Sequence, residues 1–117
     1  MKTKILNVPQ KGRGVFAIRP LKKGTLIEVC QLLQIRKNFV PNELQGYVFE
    51  YDRNHSALAL GNGSLYNHSD QSNAKVEMED ETKLLYIYTS RDIKPGEEIT
   101  IDYGYSKADR KKYGIQG

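Results

Sequence analysis

The apolar residues of this chain come in short runs, rich in Val, Ile, Leu and Tyr and cut by Gly, Pro and Asn. Runs of that length and punctuation read as strands, which confines the chain to a mainly β architecture. Strands are expected at residues 5–8, 15–18, 25–35, 57–60, 75–79, 84–89 and 98–102. Lys75-Val76-Glu77-Met78-Glu79 alternates strictly and faces Leu84-Leu85-Tyr86-Ile87-Tyr88 across Asp80-Glu81-Thr82-Lys83, a hairpin pattern. One helix is expected over 42–51, because Leu44, Tyr47, Val48 and Tyr51 fall on one helical face, although Gly46 weakens it. A second short helix is expected after Ser106, with Ser106 as its cap.

At 117 residues the chain has material for one domain, 1–117, and one modest core. No stretch approaches the roughly 18 uncharged apolar residues that span a bilayer, and no signal-type apolar block precedes Pro9, so a soluble, intracellular protein is expected, with no membrane partner. Cys30 stands alone, which excludes an intrachain disulfide and a cysteine-built zinc site and fits a reducing compartment. Two histidines and one cysteine, widely spaced, give no metal-ligand pattern, so no metal is expected.

The net charge of +4 is polarised. Residues 1–40 carry +8, residues 41–105 carry −7 and residues 106–117 carry +3. A uniformly basic protein would point to nucleic acid. Here a basic arm and tail flank an acidic middle, which suits either ordinary solvated faces or an acidic groove for a basic peptide. Nucleic acid is not expected as the main ligand.

Two segments share the pattern Arg-x-Leu/Ile-Lys-x-Gly-x-x-Ile: Arg19 to Ile27 and Arg91 to Ile99. Each reads as a turn entering a strand, with Pro95-Gly96 suited to the centre of a type II turn. Common turn chemistry and a structural pseudo-repeat explain the match equally well.

Three further segments are candidates for chemistry. Gly12-Arg13-Gly14-Val15-Phe16-Ala17 puts two glycines before a strand, either as a tight turn or to let backbone approach a ligand. Tyr66-Asn67-His68-Ser69 is dense in groups that donate and accept hydrogen bonds, and reads as an Asx-turn or a polar site. Gly96-Glu97-Glu98-Ile99-Thr100-Ile101-Asp102-Tyr103-Gly104-Tyr105 is a turn, a strand and two tyrosines. Alternation puts Ile99, Ile101 and Tyr103 on one face, so Tyr103 either caps the core or holds its hydroxyl in a closed pocket.

Taken in this order, the three segments resemble the SET-domain protein lysine methyltransferases. With Ser56-Ala57-Leu58-Ala59-Leu60-Gly61 and the total length, the chain is most similar to the minimal viral SET proteins that act on histone H3. The resemblance covers about residues 4–105 and leaves 106–117 as a short basic tail, without the cysteine-rich zinc segment that typical eukaryotic members carry there. It implies a β-clip fold of several small sheets with a short helix and a C-terminal pseudoknot, and S-adenosylmethionine as cofactor. By resemblance Gly12, Arg13 and Gly14 present backbone to the cofactor, Asn67 bonds its amino group, and the His68 backbone meets its adenine. Tyr103 is the implied catalytic residue, with Tyr47, Ile101 and Tyr105 lining the lysine channel.

The implied reaction is methyl transfer to a lysine of a basic peptide or histone tail, which draws its acceleration from alignment. Ile101 stands where an aromatic residue limits methylation in the family, so more than one methyl is expected. A homodimer is expected to cover exposed strand edges, and the expected location is the host nucleus for a viral protein and the cytoplasm otherwise. The alternative is a non-catalytic SET-like module that holds a basic peptide.

Overall fold

The computed structural model describes residues 2–10 and 12–102. Its strands are β1 (Thr3–Val8), β2 (Gly12–Ala17), β3 (Leu26–Arg36), β4 (Val48–Glu50), β5 (His55–Ala59), β6 (Asn67–His68), β7 (Ala74–Glu79), β8 (Leu84–Thr89) and β9 (Glu98–Ile101). They hydrogen-bond in the order β1-β2-β9-β7-β8-β3-β5-β4, with β6 parallel to β9 off this path. The mainly β expectation holds.

The sheet curls because β3 is shared. Residues 26–31 pair with β8, and residues 32–36 pair with β5. Along β3, Cys30 and Leu32 point inward and are buried, while Val29 and Leu33 point outward and are about half exposed. The core gathers Val15, Phe49, Leu85, Ile87, Ile99 and Ile101, each at most 1% exposed. The β7–β8 hairpin forms as read, from Ala74 opposite Thr89 to Glu79 opposite Leu84.

The expected helix over 42–51 does not form. Asn42–Leu44 makes one 3-10 turn, and the chain then enters β4. Helical spacing would bury Tyr47, yet Tyr47 is 46% exposed and Phe49, off that face, is 1% exposed. Pairing of Phe49 with Ala57, next to the break at Gly46, outweighs the weak helical pattern. Among the described residues the helical elements are single 3-10 turns. The helix expected after Ser106 and the pseudoknot's C-terminal segment lie outside the described residues.

The two similar turns meet. Leu21 N–H donates to the Ile93 carbonyl at 2.9 Å, and Ile93 N–H returns the bond to Leu21 at 2.7 Å. Further contacts recur with the roles exchanged, up to the register shift after Leu26. Gly24 N–H bonds Thr89, and Gly96 N–H bonds Ala17. Phe16 pairs with Glu98, and Tyr88 pairs with Leu26. Gly24 and Gly96 take φ of +85° and +87°, the left-handed region each turn needs. The shared pattern is therefore a structural pseudo-repeat, related by a local two-fold through the Leu21–Ile93 bridge.

Candidate functional site

The site forms where β2, β6 and β9 come together. Ile99 and Ile101 face the core, so alternation turns Glu98 and Thr100 to the opposite side of β9, beside β6. There the Asn67 side-chain amide donates to the Glu98 carboxylate at 2.6 Å and to the Arg13 carbonyl at 3.2 Å. Gly14 makes this possible. A Cβ on Gly14 would stand 2.6 Å from Glu98 Oε2 and 3.0 Å from Asn67 Nδ2.

The segment after Asn67 clasps β9. Ser69 N–H donates to the Ile101 carbonyl at 3.0 Å. Asn73, 2% exposed, donates from Nδ2 to the Glu98 carbonyl and accepts from Thr100 N–H, both at 2.9 Å. The His68 ring is nearly enclosed, with Nε2 3.5 Å from the Asp70 carboxylate. The backbone that leads to Tyr103 is thus held by side-chain amides as well as by sheet bonds.

Beside the cradle lies a cavity of about 230 Å³, lined by Arg13, Gly46, Tyr47, Ser64, Leu65, Tyr66 and Asn67. Its floor is anchored by Glu28 of β3, whose carboxylate accepts from Tyr66 Oη at 2.7 Å and from Asn62 N–H at 3.0 Å. Burial, then the Glu28 charge, pushes the Tyr66 hydroxyl far above the usual phenol range. The same two causes push the buried Cys30 thiol up to about 12, which makes it unreactive.

The fold brings Arg13, Gly14, Asn67 and Tyr47 together, with His68 next to Asn67 on β6, while Gly12 opens β2 opposite Val8 and does not line the cavity. Ile101 is completely buried in the core. Tyr103 and Tyr105 lie outside the described residues. Sequence reasoning missed Glu98 and Glu28 as site residues. Glu98 was open to discovery through its alternation against Ile99 and Ile101. Glu28 shares the inward parity of Cys30, a signal that names no partner. Among the described residues no group of three His, Cys, Asp or Glu side chains is placed to hold a metal, and no helix is long and apolar enough to cross a membrane.

The cradle presents a carboxylate, a backbone carbonyl and an amide within hydrogen-bond reach of one another, a donor set suited to a cation such as an amino acid ammonium. The SET domain family model matches residues 12–104, a span that contains every one of these groups. The chain is a SET-domain protein. The histone-lysine N-methyltransferase of Schizosaccharomyces pombe named as specific for H3 lysine 37 is 33% identical over 105 residues, 86% of this chain and 71% of that one. A SET domain-containing protein of Acanthamoeba polyphaga mimivirus is 38% identical over 88 residues, which span 71% of this chain but only 33% of the viral one. A Plasmodium falciparum crystal structure, its protein provisionally named a histone methyltransferase, superposes with a TM-score of 0.78 at 35% identity. It covers 92% of this SET-domain chain and 96% of its own. The SET domain is accordingly shared with viral and eukaryotic relatives alike.

Proposed function

We propose that this SET-domain protein is an S-adenosylmethionine-dependent protein lysine N-methyltransferase, acting on a lysine of the histone H3 tail and adding more than one methyl group. The observation that carries the reading is the Asn67–Glu98–Arg13 cradle beside the cavity. Gly14 lets the Glu98 carboxylate and the Asn67 amide close against β2 where a side chain would clash, and the oxygens gathered there suit the ammonium of the cofactor's methionine portion. When bound, the cofactor supplies an electrophilic methyl on a sulfonium.

The protein's own residues do the rest. Arg13 offers its carbonyl and Asn67 its amide oxygen to the ammonium, while Glu98 holds the Asn67 amide nitrogen and so fixes its orientation. The backbone at Gly12, Gly14 and His68 borders the remainder of the cofactor. Tyr103 is the residue assigned to the reacting centre, where its hydroxyl orients the incoming amine. Tyr47, half exposed at the cavity, and Tyr105 are assigned to the lysine channel. Ile101 is aliphatic and buried in the core, so no phenol stands two positions before Tyr103 to hold the amine to a single methylation.

A basic tail suits the acidic β7–β8 hairpin, where Glu77, Glu79, Asp80 and Glu81 cluster. A histone substrate implies work in a nucleus. The deciding experiment is incubation with labelled S-adenosylmethionine and a panel of histones, with mass spectrometry of the labelled site. Transfer to an H3 lysine by the wild type and its loss in Tyr103→Phe, with S-adenosylhomocysteine binding retained, is the expected result. Binding of both cofactor and basic peptide without any transfer would instead identify a non-catalytic module.

A further inference from the structure

We infer that Glu28 is a positioning residue for the cofactor pocket, acting through Tyr66 and the turn at Asn62 without touching the ligand. The inference rests on the cavity being that pocket, as proposed above. Glu28 lies on β3, with the inward parity of the buried Cys30 and Leu32. Its two carboxylate oxygens take different donors. Oε1 accepts from Tyr66 Oη, and Oε2 accepts from Asn62 N–H. One side chain thereby ties both ends of the segment 62–66 to the sheet beneath it.

The approach is close enough to need two glycines. A Cβ on Gly61, at φ +71°, would lie 2.9 Å from Glu28 Oε2. A Cβ on Gly63 would lie 2.6 Å from Ala59 Cβ and 2.8 Å from Cys30 Sγ. Ser64 adds a third tie, donating to the Ala59 carbonyl at 3.0 Å and accepting from Ala59 N–H at 3.2 Å. The upper side of this segment, Ser64, Leu65 and Tyr66, is cavity wall and runs directly into Asn67. The height of the wall, and with it the point at which the chain enters Asn67, is therefore set from below, with Glu28 tying both ends of the segment and Ser64 its middle. Tyr66 is 1% exposed, so Glu28→Ala removes a hydrogen bond made in a buried setting.

The test measures calorimetric binding of S-adenosylhomocysteine and hydrogen exchange of the Asn62 amide in the unliganded protein, for the wild type, Glu28→Ala, Glu28→Gln and Tyr66→Phe. Glu28→Ala is expected to weaken binding about tenfold and to speed Asn62 exchange by a similar factor. Glutamine can accept from Asn62 N–H through its oxygen and donate to Tyr66 Oη through its nitrogen, so Glu28→Gln is expected to recover affinity to within about threefold. In turnover, Glu28→Ala raises the cofactor KM while kcat stays within about twofold, because the reacting centre is not altered.

A merely structural residue would behave differently: the folded fraction and kcat would fall together with KM unchanged, and that pattern overturns the inference. So does wild-type affinity with unchanged Asn62 exchange in Glu28→Ala. Should Glu28→Ala not fold, Tyr66→Phe decides, since it removes one hydroxyl only: weaker binding supports the inference and wild-type affinity overturns it. A wild type that fails to bind S-adenosylhomocysteine overturns the proposed function, whereas the exchange comparison still decides whether Glu28 sets the wall.

Discussion

The Asn67 amide is shared between a carboxylate on β9 and a carbonyl on β2, with the Glu98 contact, at 2.6 Å, the shorter of the two. A charge-assisted bond of that length fixes the rotamer of the amide before any ligand arrives. Asn67→Ala is therefore expected to weaken S-adenosylhomocysteine binding by about 1–3 kcal/mol, since a buried polar group loses its partner. Glu98→Ala should lose less, because Asn67 keeps its bond to Arg13. Equal affinity of wild type and Asn67→Ala in calorimetry would remove Asn67 from the site.

Gly14→Ala tests the cradle from the other side. The new methyl would press on Glu98 Oε2, on Asn67 Nδ2 and, at 2.9 Å, on Val8 Cγ2. Overpacking of this kind costs about 1–3 kcal/mol. Urea unfolding should register that loss, together with weaker cofactor binding. Gly46→Ala is the control: among the described residues no atom beyond its chain neighbours lies within 4 Å of the added Cβ, so stability should be unchanged or slightly raised.

Cys30 and Tyr66 give the fold an alkaline limit. In the folded chain the Cys30 thiol stays protonated up to about 12, against an ordinary value of 9.0. The unfolded chain loses that proton first, so the contribution is complete below pH 9 and declines as pH rises toward 12. Tyr66, also raised, acts in the same direction above its ordinary value of 10.0. Cys30→Ala should flatten the decline between pH 9 and 11 in thermal melts, and the native thiol should resist Ellman's reagent at pH 8 until denaturant is added. Rapid labelling of the folded protein would contradict this burial.

The outward face of β3 bears on the homodimer. Leu33 is 48% exposed and Val29 45% exposed, and Leu33 continues across the sheet through Leu58 to Val48. An apolar row of this kind is the surface that a second copy would cover. Sedimentation of an active preparation is expected to give a dimer mass that Leu33→Glu reduces to the monomer. A wild-type monomer mass at every concentration would exclude the dimer.

What the sequence disclosed divides along the line between local and distant causes. The β7–β8 hairpin was legible because alternation and turn sit within one stretch of chain. Residues 48–50 were not, because the choice of strand over helix was made by Ala57 and Leu58 of β5, which a helical count cannot see. β6 has two residues, too few for any periodicity, yet it carries Asn67. The glycines and the Asn-His-Ser run were visible as motifs. Glu98 and Glu28 became functional candidates only once the sheet order showed which segments they stand beside.

The Leu21–Ile93 bridge also governs how the molecule comes into being. Its two halves are joined by 72 positions of chain, so at about 5–20 residues per second the first turn waits roughly 4–14 seconds on the ribosome for its mate. Until then Leu21 has only water for its backbone partner, and β2 and β3 lack β9 and β8. Such long-range closure predisposes the chain to slow folding, and makes the arrival of β9 the event on which β2 and the Leu21–Ile93 bridge wait.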